Sequence, residues 1–271
     1  MTPPNAFLVI TDLDATLLDH RYDWSAAREA LEALRAHDCP LVLNSSKTIA
    51  EMRALAARLD TRAPLVAENG GLLALPKSFP AGENEDDYDI QIQGLSRAFL
   101  IEKAHELRSQ AAFRFEGFAD WSVGQLMAHT GLEEEDAARA MEREASEPIL
   151  WQDSEEAFLD FKQELALNGI RILKGGRFFH LMGQEDKADG LRAVSQLYHT
   201  HFPERSWTTV ALGDSANDLE MLEAADIAVV IPHAHGNRLH PDNQNVIYAP
   251  ATGPSGWNQV ILKLIKQASS S

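Results

Sequence analysis

The chain has 271 residues, of which 41 are Asp or Glu and 24 are Lys or Arg, so its formal net charge at pH 7 is −17. This acidity and the lack of a basic run argue against nucleic acids and anionic membranes as partners, and no apolar run approaches the length of a membrane span. The single Cys39 cannot form an internal disulfide and the polar start "MTPPNAF" does not resemble a secretory signal, so we expect a reducing, cytoplasmic location.

Short apolar runs along the chain predict strands. Most of them are β-branched, short and without polar alternation, which is typical of strands that are buried on both faces of a parallel sheet. The predicted strands cover residues 7–11, 41–44, 65–67, 209–212, 227–231 and 246–248.

Helical patterns separate the first three predicted strands. Residues 24–37 carry apolar side chains at helical spacing, and Asp23 is placed to cap that helix. In the next helix, Thr48 and Glu51 have the spacing of a capping box. The alternation of strand and helix predicts an α/β fold with a doubly wound, Rossmann-like parallel-sheet core.

The middle of the chain interrupts this alternation. Residues 77–89 are rich in breakers and acidic side chains, and they predict an exposed crossing between domains. Residues 89–186 contain two helical patterns and strand-like pieces at 170–176 and 177–183, which predicts an inserted α+β cap with antiparallel strands. We therefore expect a core from residues 1–86 and 187–271, with the cap formed by residues 87–186.

Polar residues follow the predicted parallel strands at their carboxyl ends. Ligands bind at this edge in open α/β sheets, so we expect these side chains to converge there. They are Asp12 and Asp14 after the first strand, Ser45, Ser46 and Lys47 after the second, Asp214, Ser215, Asn217 and Asp218 after the fourth, and Lys187 at the start of the preceding helix.

The chemistry of this set indicates a phosphoryl-transfer site. Its metal-ligand candidates are all oxygens, which suits a hard cation, and few protein ligands suggest Mg²⁺ that retains water. Such a cation offsets the repulsion between the adjacent carboxylates of Asp12 and Asp14. Lysines and Ser45 could complete a cage around a phosphoryl group, and a carboxylate can attack phosphorus through an aspartyl-phosphate intermediate.

Four motifs in order, "DLDATLL", "NSSKT", the lysine of "DKADGL" and "GDSANDLEML", resemble those of the haloacid dehalogenase superfamily of phosphatases, in the subclass with an α/β cap between the second and third motifs. The resemblance implies that Asp12 is the nucleophile and that Asp14 is the general acid and base. It also implies that Ser45 bonds the phosphoryl oxygens and that Lys187 neutralises the developing charge.

The same resemblance implies how the metal is held. Asp14 would give the metal its backbone carbonyl, while Asn217 and Asp218 would orient the lysine and the metal's waters. The implied metal site comprises Asp12, Asp14, Asp214 and Asp218. One departure from the superfamily pattern is Ala15, because the first motif usually has glycine there and alanine disfavours a positive φ.

Further stretches resemble the mannosyl-3-phosphoglycerate phosphatases of this superfamily, namely "AENGG", "GFADWSVGQLMAHTGL", "REASEPILW", "KGGRFFHLMG" and "GPSGWNQ". The implied substrate is 2-O-mannosyl-3-phosphoglycerate, a small anion, and the implied product is mannosylglycerate, a compatible solute; no protein partner is implied. Glucosyl-3-phosphoglycerate or another sugar phosphate stays open as the substrate, and a phosphate-binding module without turnover is a further alternative.

The substrate contacts in the cap are hypotheses. The backbone N–H groups of Gly175 and Gly176, together with Arg177, could hold the substrate carboxylate, and His180 could reach a sugar hydroxyl. The two glycines could equally form a hairpin turn. Residues expected to touch substrate from the core are Ser46, Lys47, Asn69 and Asn217, although Asn69 could also belong only to a turn. The histidines at 233, 235 and 240 are interpreted as loop residues rather than metal ligands.

Overall fold

The computed structural model describes residues 5–80, 87–233 and 239–269. The strands are β1 (Asn5–Thr11), β2 (Leu41–Asn44), β3 (Leu65–Ala67), β4 (Leu72–Pro76), β5 (Tyr88–Ile92), β6 (Phe115–Gly117), β7 (Ser146–Trp151), β8 (Arg171–Lys174), β9 (Phe179–Met182), β10 (Ser206–Gly213), β11 (Ile227–Val230) and β12 (Val246–Tyr248). The helices are α1 (Arg28–Ala36), α2 (Ile49–Leu59), α3 (Arg97–Ala111), α4 (Val123–Thr130), α5 (Glu134–Met141), α6 (Glu155–Leu167), α7 (Lys187–His201), α8 (Leu219–Ala224) and α9 (Gly253–Ala268).

In this part of the chain the larger sheet has eight strands in the order β12-β11-β10-β1-β2-β3-β4-β5. The strands from β12 to β3 run parallel, and β4 and β5 add antiparallel pairs at one edge. All six predicted strands are present within this sheet, and β2, β3 and β12 have the predicted bounds. The predicted α/β class with a Rossmann-like core is confirmed.

Strand β1 shows why the sheet is covered on both faces. Its residues Leu8, Val9 and Ile10 are all fully buried, and successive side chains point to opposite faces of a strand. Val9 belongs to the core beneath α1, α2 and α9, whereas Leu8 and Ile10 belong to the core beneath α7 and α8. An apolar run without alternation is therefore what a doubly covered parallel strand requires.

The helix-start predictions have different outcomes. The capping box is confirmed, since Thr48 Oγ1 accepts from the N–H of Glu51 and the Glu51 carboxylate accepts from the N–H of Thr48. The assignment of Asp23 as the cap of α1 is wrong. Its carboxylate accepts from the backbone N–H and the hydroxyl of Ser25, the first residue of a short 3₁₀ turn, and α1 then begins without a side-chain cap.

The second described sheet has four antiparallel strands in the order β6-β7-β9-β8, which confirms the antiparallel expectation for this region. Helices α3 and α6 cover it through a core that includes Leu100, Phe161 and Leu181. The described part of residues 89–186 holds four helices where the sequence suggested two. Helix α6 has a weakened pattern because Leu159 and Leu167 are exposed apolar residues.

The domain boundaries at residues 86 and 186 stay a prediction. Strand β5 follows the first of these boundaries in sequence, yet it pairs with β4 in the larger sheet. Residues 81–86 of the predicted exposed crossing lie outside the described part. Among the described helices, none combines the length and apolar character that crossing a membrane requires.

Candidate active site

The parallel register brings three polar segments to one edge of the larger sheet. Thr11 at the end of β1 is paired with Leu212 of β10 and Leu43 of β2. The residues that follow these strands therefore lie side by side. Asp12 after β1 has Asp214 after β10 on one side and Ser45 after β2 on the other. The N–H of Asp12 continues the ladder by donating to the carbonyl of Leu212 at 2.9 Å.

Lys187 lies between two carboxylates in the interior. Its Nζ is 2.5 Å from Oδ1 of Asp12 and 2.5 Å from Oδ1 of Asp218, and its side chain is fully buried. It is the first residue of α7, and Asp186 caps that helix by accepting from two backbone N–H groups. Burial opposes the charged ammonium, but Asp12 and Asp218 outweigh it and raise the pKa of Lys187.

Asp218 uses both of its carboxylate oxygens within the protein. Oδ1 accepts from Lys187, while Oδ2 accepts from the backbone N–H groups of Asp214 and Ser215, each at 3.0 Å. A Cβ at Gly213 would lie 2.4 Å from the Cβ of Asp218, so this approach needs glycine. Asp218 thus fixes the lysine and the loop after β10 in one position.

Asp214 is oriented by two side chains from distant parts of the chain. Thr16 Oγ1 donates to its Oδ1 at 2.8 Å, and His233 Nε2 lies 2.7 Å from its Oδ2. Burial and the like charge of Asp218 raise the pKa of Asp214 to about 6. Burial also raises the pKa of Asp12, and the neighbouring carboxylates add to this effect.

The residues present fit a divalent cation. Carboxylate oxygens of Asp12, Asp214 and Asp218 lie within 4.8 Å of one another. The ammonium of Lys187 neutralises one of these three carboxylates, so the cluster keeps a formal charge of two negative units. An all-oxygen donor set of this charge suits a hard divalent ion. Asp218 is held by Lys187 and by two backbone N–H groups, whereas the contacts of Asp12 and Asp214 are with the side chains of Lys187, Thr16 and His233. Asp12 and Asp214 are therefore the better candidates for direct coordination.

The structure places Asp14 away from the buried carboxylates. Its side chain is 49% exposed, and its Oδ2 lies 3.2 Å from Nζ of Lys47. Lys47 also lies 3.8 Å from Glu51 Oε1 and over the ring of Tyr22. Burial opposes the charge on Lys47, but Asp14 and Glu51 raise its pKa. This arrangement leaves the Asp14 carboxylate accessible at the mouth of the site.

The remaining core residues predicted to contact substrate lie together. The N–H of Asn69 donates to the carbonyl of Ser45 at 2.9 Å, and Asn217 Nδ2 donates to Asn69 Oδ1 at 3.1 Å. The N–H of Lys47 donates to Ser45 Oγ at 3.3 Å. Ser46 presents its carbonyl toward the second sheet, where Arg143 Nη1 donates to it at 3.3 Å. The loops after β2, β3 and β10 are thus held as one unit.

Several residues of these loops adopt a left-handed backbone, among them Ala15 and Asn69. Ala15 has φ of 61° and Asn69 has φ of 57°. Asparagine tolerates this region well, whereas alanine is strained by its Cβ. The departure from glycine at position 15 therefore coincides with a backbone that favours glycine.

The predicted cap residues are arranged differently from the core set. The N–H of Gly175 donates to the carbonyl of Phe178 at 2.9 Å. The two glycines therefore form a hairpin turn between β8 and β9, the alternative to a carboxylate contact. A Cβ on Gly176 would meet no atom within 4 Å. Arg177 is exposed and donates to the carbonyl of His129 within the same region of the chain. His180 is partly buried, and its Nδ1 has no hydrogen-bond partner.

Four residues at the site were not identified from the sequence. Thr16 and His233 bond Asp214, while Glu68 and Arg143 link the loop after β3 and the loop after β2 to the second sheet. Thr16 lies within the first motif, so its position was a usable signal. For His233, which was interpreted as a loop residue, no spacing pattern was available, and position 235 lies outside the described residues.

A separate cleft of about 580 Å³ lies at the opposite, amino-terminal end of the parallel strands. Its lining includes Leu41 at the start of β2 and Trp207 near the start of β10. The carboxylate cluster is at the other edge of the sheet, so this cleft is not part of the candidate active site.

Comparison with known proteins finds relatives that match this chain over nearly its whole length. The chain is 34% identical over 266 residues to the glucosyl-3-phosphoglycerate/mannosyl-3-phosphoglycerate phosphatase of Methanococcoides burtonii, covering 95% of this chain and 97% of that protein. It is 30% identical over 270 residues to the protein of the same name from Persephonella marina, covering 96% of this chain and 97% of that one. The expected resemblance to mannosyl-3-phosphoglycerate phosphatases is thereby confirmed.

The chain is also similar to the solved structure of Thermoplasma acidophilum 0175, with a TM-score of 0.64 and 20% sequence identity. The alignment covers 96% of this chain and 98% of that one, and at this identity it supports the fold alone. Residues 9–240 match the family of haloacid dehalogenase-like hydrolases. This match spans the strands that carry the carboxylate cluster and the whole second sheet. The chain therefore belongs to the haloacid dehalogenase-like hydrolase family.

Proposed function

We propose that the chain is a Mg²⁺-dependent phosphomonoesterase that hydrolyses 2-O-mannosyl-3-phosphoglycerate to mannosylglycerate and phosphate through an aspartyl phosphate on Asp12. The observation that carries the proposal is the buried contact of Lys187 with Asp12 and Asp218, next to Asp214, at the carboxyl ends of parallel strands. Two relatives at 30–34% identity that are named as phosphatases of glycosyl-3-phosphoglycerates support the choice of substrate.

Asp12 is the nucleophile in this proposal. Lys187 at 2.5 Å favours the ionised form of this buried carboxylate and keeps it in one orientation. The same ammonium is placed to stabilise the negative charge that develops on the phosphoryl oxygens. A bound Mg²⁺, held by Asp12 and Asp214, would supply further electrostatic stabilisation of that charge.

Asp14 is the general acid and base. Its exposed carboxyl group, in the protonated form, can give its proton to the departing alcohol oxygen when Asp12 attacks, and the carboxylate so formed can then take a proton from the water that hydrolyses the aspartyl phosphate. Lys47, 3.2 Å away, restrains the Asp14 carboxylate near the reacting groups. Proximity of this kind lowers the barrier by fixing the orientation of the proton donor before the reaction.

The second sheet and its helices act as the cap in this proposal. The loops and helix that follow β2 meet the second sheet and its helices along a seam. There the hydroxyl of Thr48 donates to the carbonyl of Arg139 at 2.8 Å, and the guanidinium of Arg143 donates to the carbonyl of Ser46. Exclusion of bulk water by the cap would strengthen the electrostatic interactions at Asp12.

A second candidate substrate is glucosyl-3-phosphoglycerate. The relatives from Methanococcoides burtonii and Persephonella marina are named for both the glucosyl and the mannosyl compound. The two sugars differ in the orientation of a single hydroxyl group, so one pocket can accept both. The mannosyl compound stays the preferred substrate because the stretches quoted from the sequence resemble the mannosyl enzymes.

The test is phosphate release from both glycosyl-3-phosphoglycerates and from a panel of simple sugar phosphates, with Mg²⁺ and with EDTA. We expect the mannosyl compound to be hydrolysed fastest and EDTA to abolish turnover. Asp12→Asn keeps the shape of the side chain, so it should fold like the wild type and show no turnover. Faster hydrolysis of the simple sugar phosphates, or turnover by Asp12→Asn near the wild-type rate, would overturn the proposal.

A further inference from the structure

Arg143 is a buried cation at the seam between the two sheets. It lies between the end of α5 and the start of β7, and its side chain is 6% exposed. Its Nη1 donates to the carbonyl of Ser46, the neighbour of the predicted phosphate ligand Ser45, and to the hydroxyl of Ser146 at 2.9 Å. The guanidinium also lies over the ring of Phe118.

The nearest carboxylates are already engaged by other donors. Glu68 Oε2 lies 4.0 Å from Arg143 Nη1, beyond hydrogen-bond distance. The Glu68 carboxylate instead accepts from the N–H groups of Glu144 and Ala145 and from the hydroxyl of Ser146. Arg143 is therefore a buried charge without a hydrogen-bonded counterion, an arrangement that is costly unless an anion completes it.

Glu147, the second acidic neighbour of Arg143, is engaged in the same way. One of its oxygens accepts from Arg97 Nε at 2.7 Å and the other from the N–H of Ala119 at 2.7 Å. Its charge is thus shared with another arginine, and it does not supply the missing hydrogen bond to Arg143.

Two buried nitrogens at this seam have no partner. They are Nε of Arg143 and Nδ1 of His180. The charge of Arg143 contributes, after burial, to lowering the pKa of His180 to about 3, so the two groups interact and the imidazole is neutral near pH 7. A neutral imidazole can carry its proton on Nδ1 and donate it. Unpaired donors of this kind usually have an unseen partner.

We infer that Arg143 and His180 form the subsite for the carboxylate of the substrate, with the Nε–H of Arg143 and the Nδ1–H of His180 as its donors. This inference rests on the proposed function and assigns a residue that the sequence motifs did not. Arg177, the sequence-based candidate, is exposed and already donates to the carbonyl of His129. Arg143, in contrast, joins carboxylate recognition directly to the loop that carries Ser45.

The test compares substrates with and without a carboxylate. Arg143→Gln, Arg143→Lys and His180→Gln would be assayed with 2-O-mannosyl-3-phosphoglycerate and with p-nitrophenyl phosphate, which has no carboxylate. Losing a charge-assisted hydrogen bond corresponds to a factor of about 10 to 100. We expect Arg143→Gln to weaken the use of the mannosyl compound, through a higher KM, by about that factor more than it weakens the use of p-nitrophenyl phosphate. Arg143→Lys should show a smaller selective loss.

The matched control is Arg114→Gln, which removes a guanidinium that is 70% exposed and paired with Asp153 at a distance from the seam. This variant should hydrolyse both substrates with wild-type kinetic constants. Equal losses of Arg143→Gln on both substrates, or no loss on either, would overturn the inference. If Arg143→Gln does not fold, Arg143→Lys and His180→Gln decide by the same comparison.

Failure of the proposed function can be told apart from failure of this inference. If the wild type does not hydrolyse the mannosyl compound, the pair 3-phosphoglycerate and glycerol 3-phosphate replaces it, because these differ in the carboxylate. A loss confined to 3-phosphoglycerate in Arg143→Gln would support the subsite even then. Equal losses on both members of the pair would contradict it.

Discussion

Lys187 and Asp218 form an ion pair whose side chains are both fully withdrawn from solvent, at 2.5 Å between Nζ and Oδ1. Lys187 makes an equally short contact with Asp12. Because Asp218 is in turn fixed by backbone N–H groups of the loop after β10, the ammonium is held in place from one side and presented to the nucleophile on the other. Asp218 thus acts mainly as a positioning residue.

The first prediction concerns Lys187→Met. Removing one partner of a buried ion pair costs about 3–5 kcal/mol, because the other charge is left uncompensated, and here Asp12 and Asp218 both lose their cation. We expect a drop of this size in the free energy of unfolding in urea with EDTA. Mg²⁺ should recover more stability in the variant than in the wild type, since it replaces part of the missing charge.

The control for this experiment is Lys103→Met. Lys103 pairs with Glu106 on the surface of α3, and solvent-exposed ion pairs contribute little to stability. A comparable loss of stability in both variants, or a loss below about 1 kcal/mol in Lys187→Met, would show that the buried pair does not have the importance assigned to it here.

The second prediction concerns the pH dependence of Mg²⁺ binding. The pKa of Asp214 is raised to about 6 by burial and by Asp218, so its carboxyl group is increasingly protonated as the pH falls below that value. A protonated carboxyl is not a ligand, and we therefore expect Mg²⁺ affinity to decrease by up to about tenfold per pH unit below pH 6. Calorimetric titration at a series of pH values measures this directly.

Variants at the two acidic positions separate metal binding from turnover. Asp214→Asn should bind Mg²⁺ weakly and with a smaller pH dependence below pH 6, since only Asp12 of the two proposed ligands then titrates. Asp14→Asn should keep Mg²⁺ binding, since the side chain of Asp14 lies on Lys47 and is expected to serve the metal only through its backbone carbonyl, but it should lose turnover. Loss of Mg²⁺ binding in Asp14→Asn would contradict this division of roles.

The core of the site was accessible from the sequence because its residues follow strands. Asp12, Ser45 and Asp214 come directly after apolar runs, and parallel pairing forces such positions to one edge. Lys187 could be placed because it begins the helix that leads into β10. These assignments need only the strand order and the rule for the strand ends.

The contacts across the seam could not be predicted in this way. Arg143 meets Ser46 across 97 positions of sequence. This pair does not follow from periodicity, because it depends on how the second sheet packs against the loops of the first. The same reason explains why the sequence predicts Arg177 and not Arg143 as the ligand of the carboxylate: a glycine-rich turn can be recognised in a sequence, whereas a buried nitrogen without a partner is recognised only from the packing of the folded chain.

The third prediction concerns the strained backbone at Ala15, which is exposed and has φ of 61°. A left-handed conformation costs a non-glycine residue about 1–2 kcal/mol, and the greater freedom of glycine in the unfolded chain offsets about 0.5–1 kcal/mol of this. We expect Ala15→Gly to raise the free energy of unfolding by up to about 1 kcal/mol and to leave kcat unchanged.

Ala112 offers a matched control for that substitution. It is exposed, has φ of 55° at the end of α3, and takes no part in the candidate site. Ala112→Gly should stabilise the protein to a similar extent, as measured by urea unfolding. A marked fall in kcat for Ala15→Gly alone would mean that the alanine holds the loop after Asp14 in a position that turnover requires.

The fourth prediction concerns His180 and the stability of the protein in acid. Burial and the charge of Arg143 lower the pKa of His180 from 6.5 to about 3, so between these values the unfolded chain binds a proton that the folded protein does not. Stability linked to His180 is therefore complete above pH 6.5 and decreases as the pH falls. At pH 5 the loss amounts to up to about 2 kcal/mol.

His180→Gln removes this titration. Between pH 7 and pH 5 the free energy of unfolding should fall less in His180→Gln than in the wild type. The exposed control His20→Gln should fall as much as the wild type does. A constant difference between His180→Gln and the wild type over this range would mean that the folded protein protonates His180 as readily as the unfolded chain. The imidazole would then not be the neutral Nδ1–H donor that the carboxylate subsite with Arg143 requires.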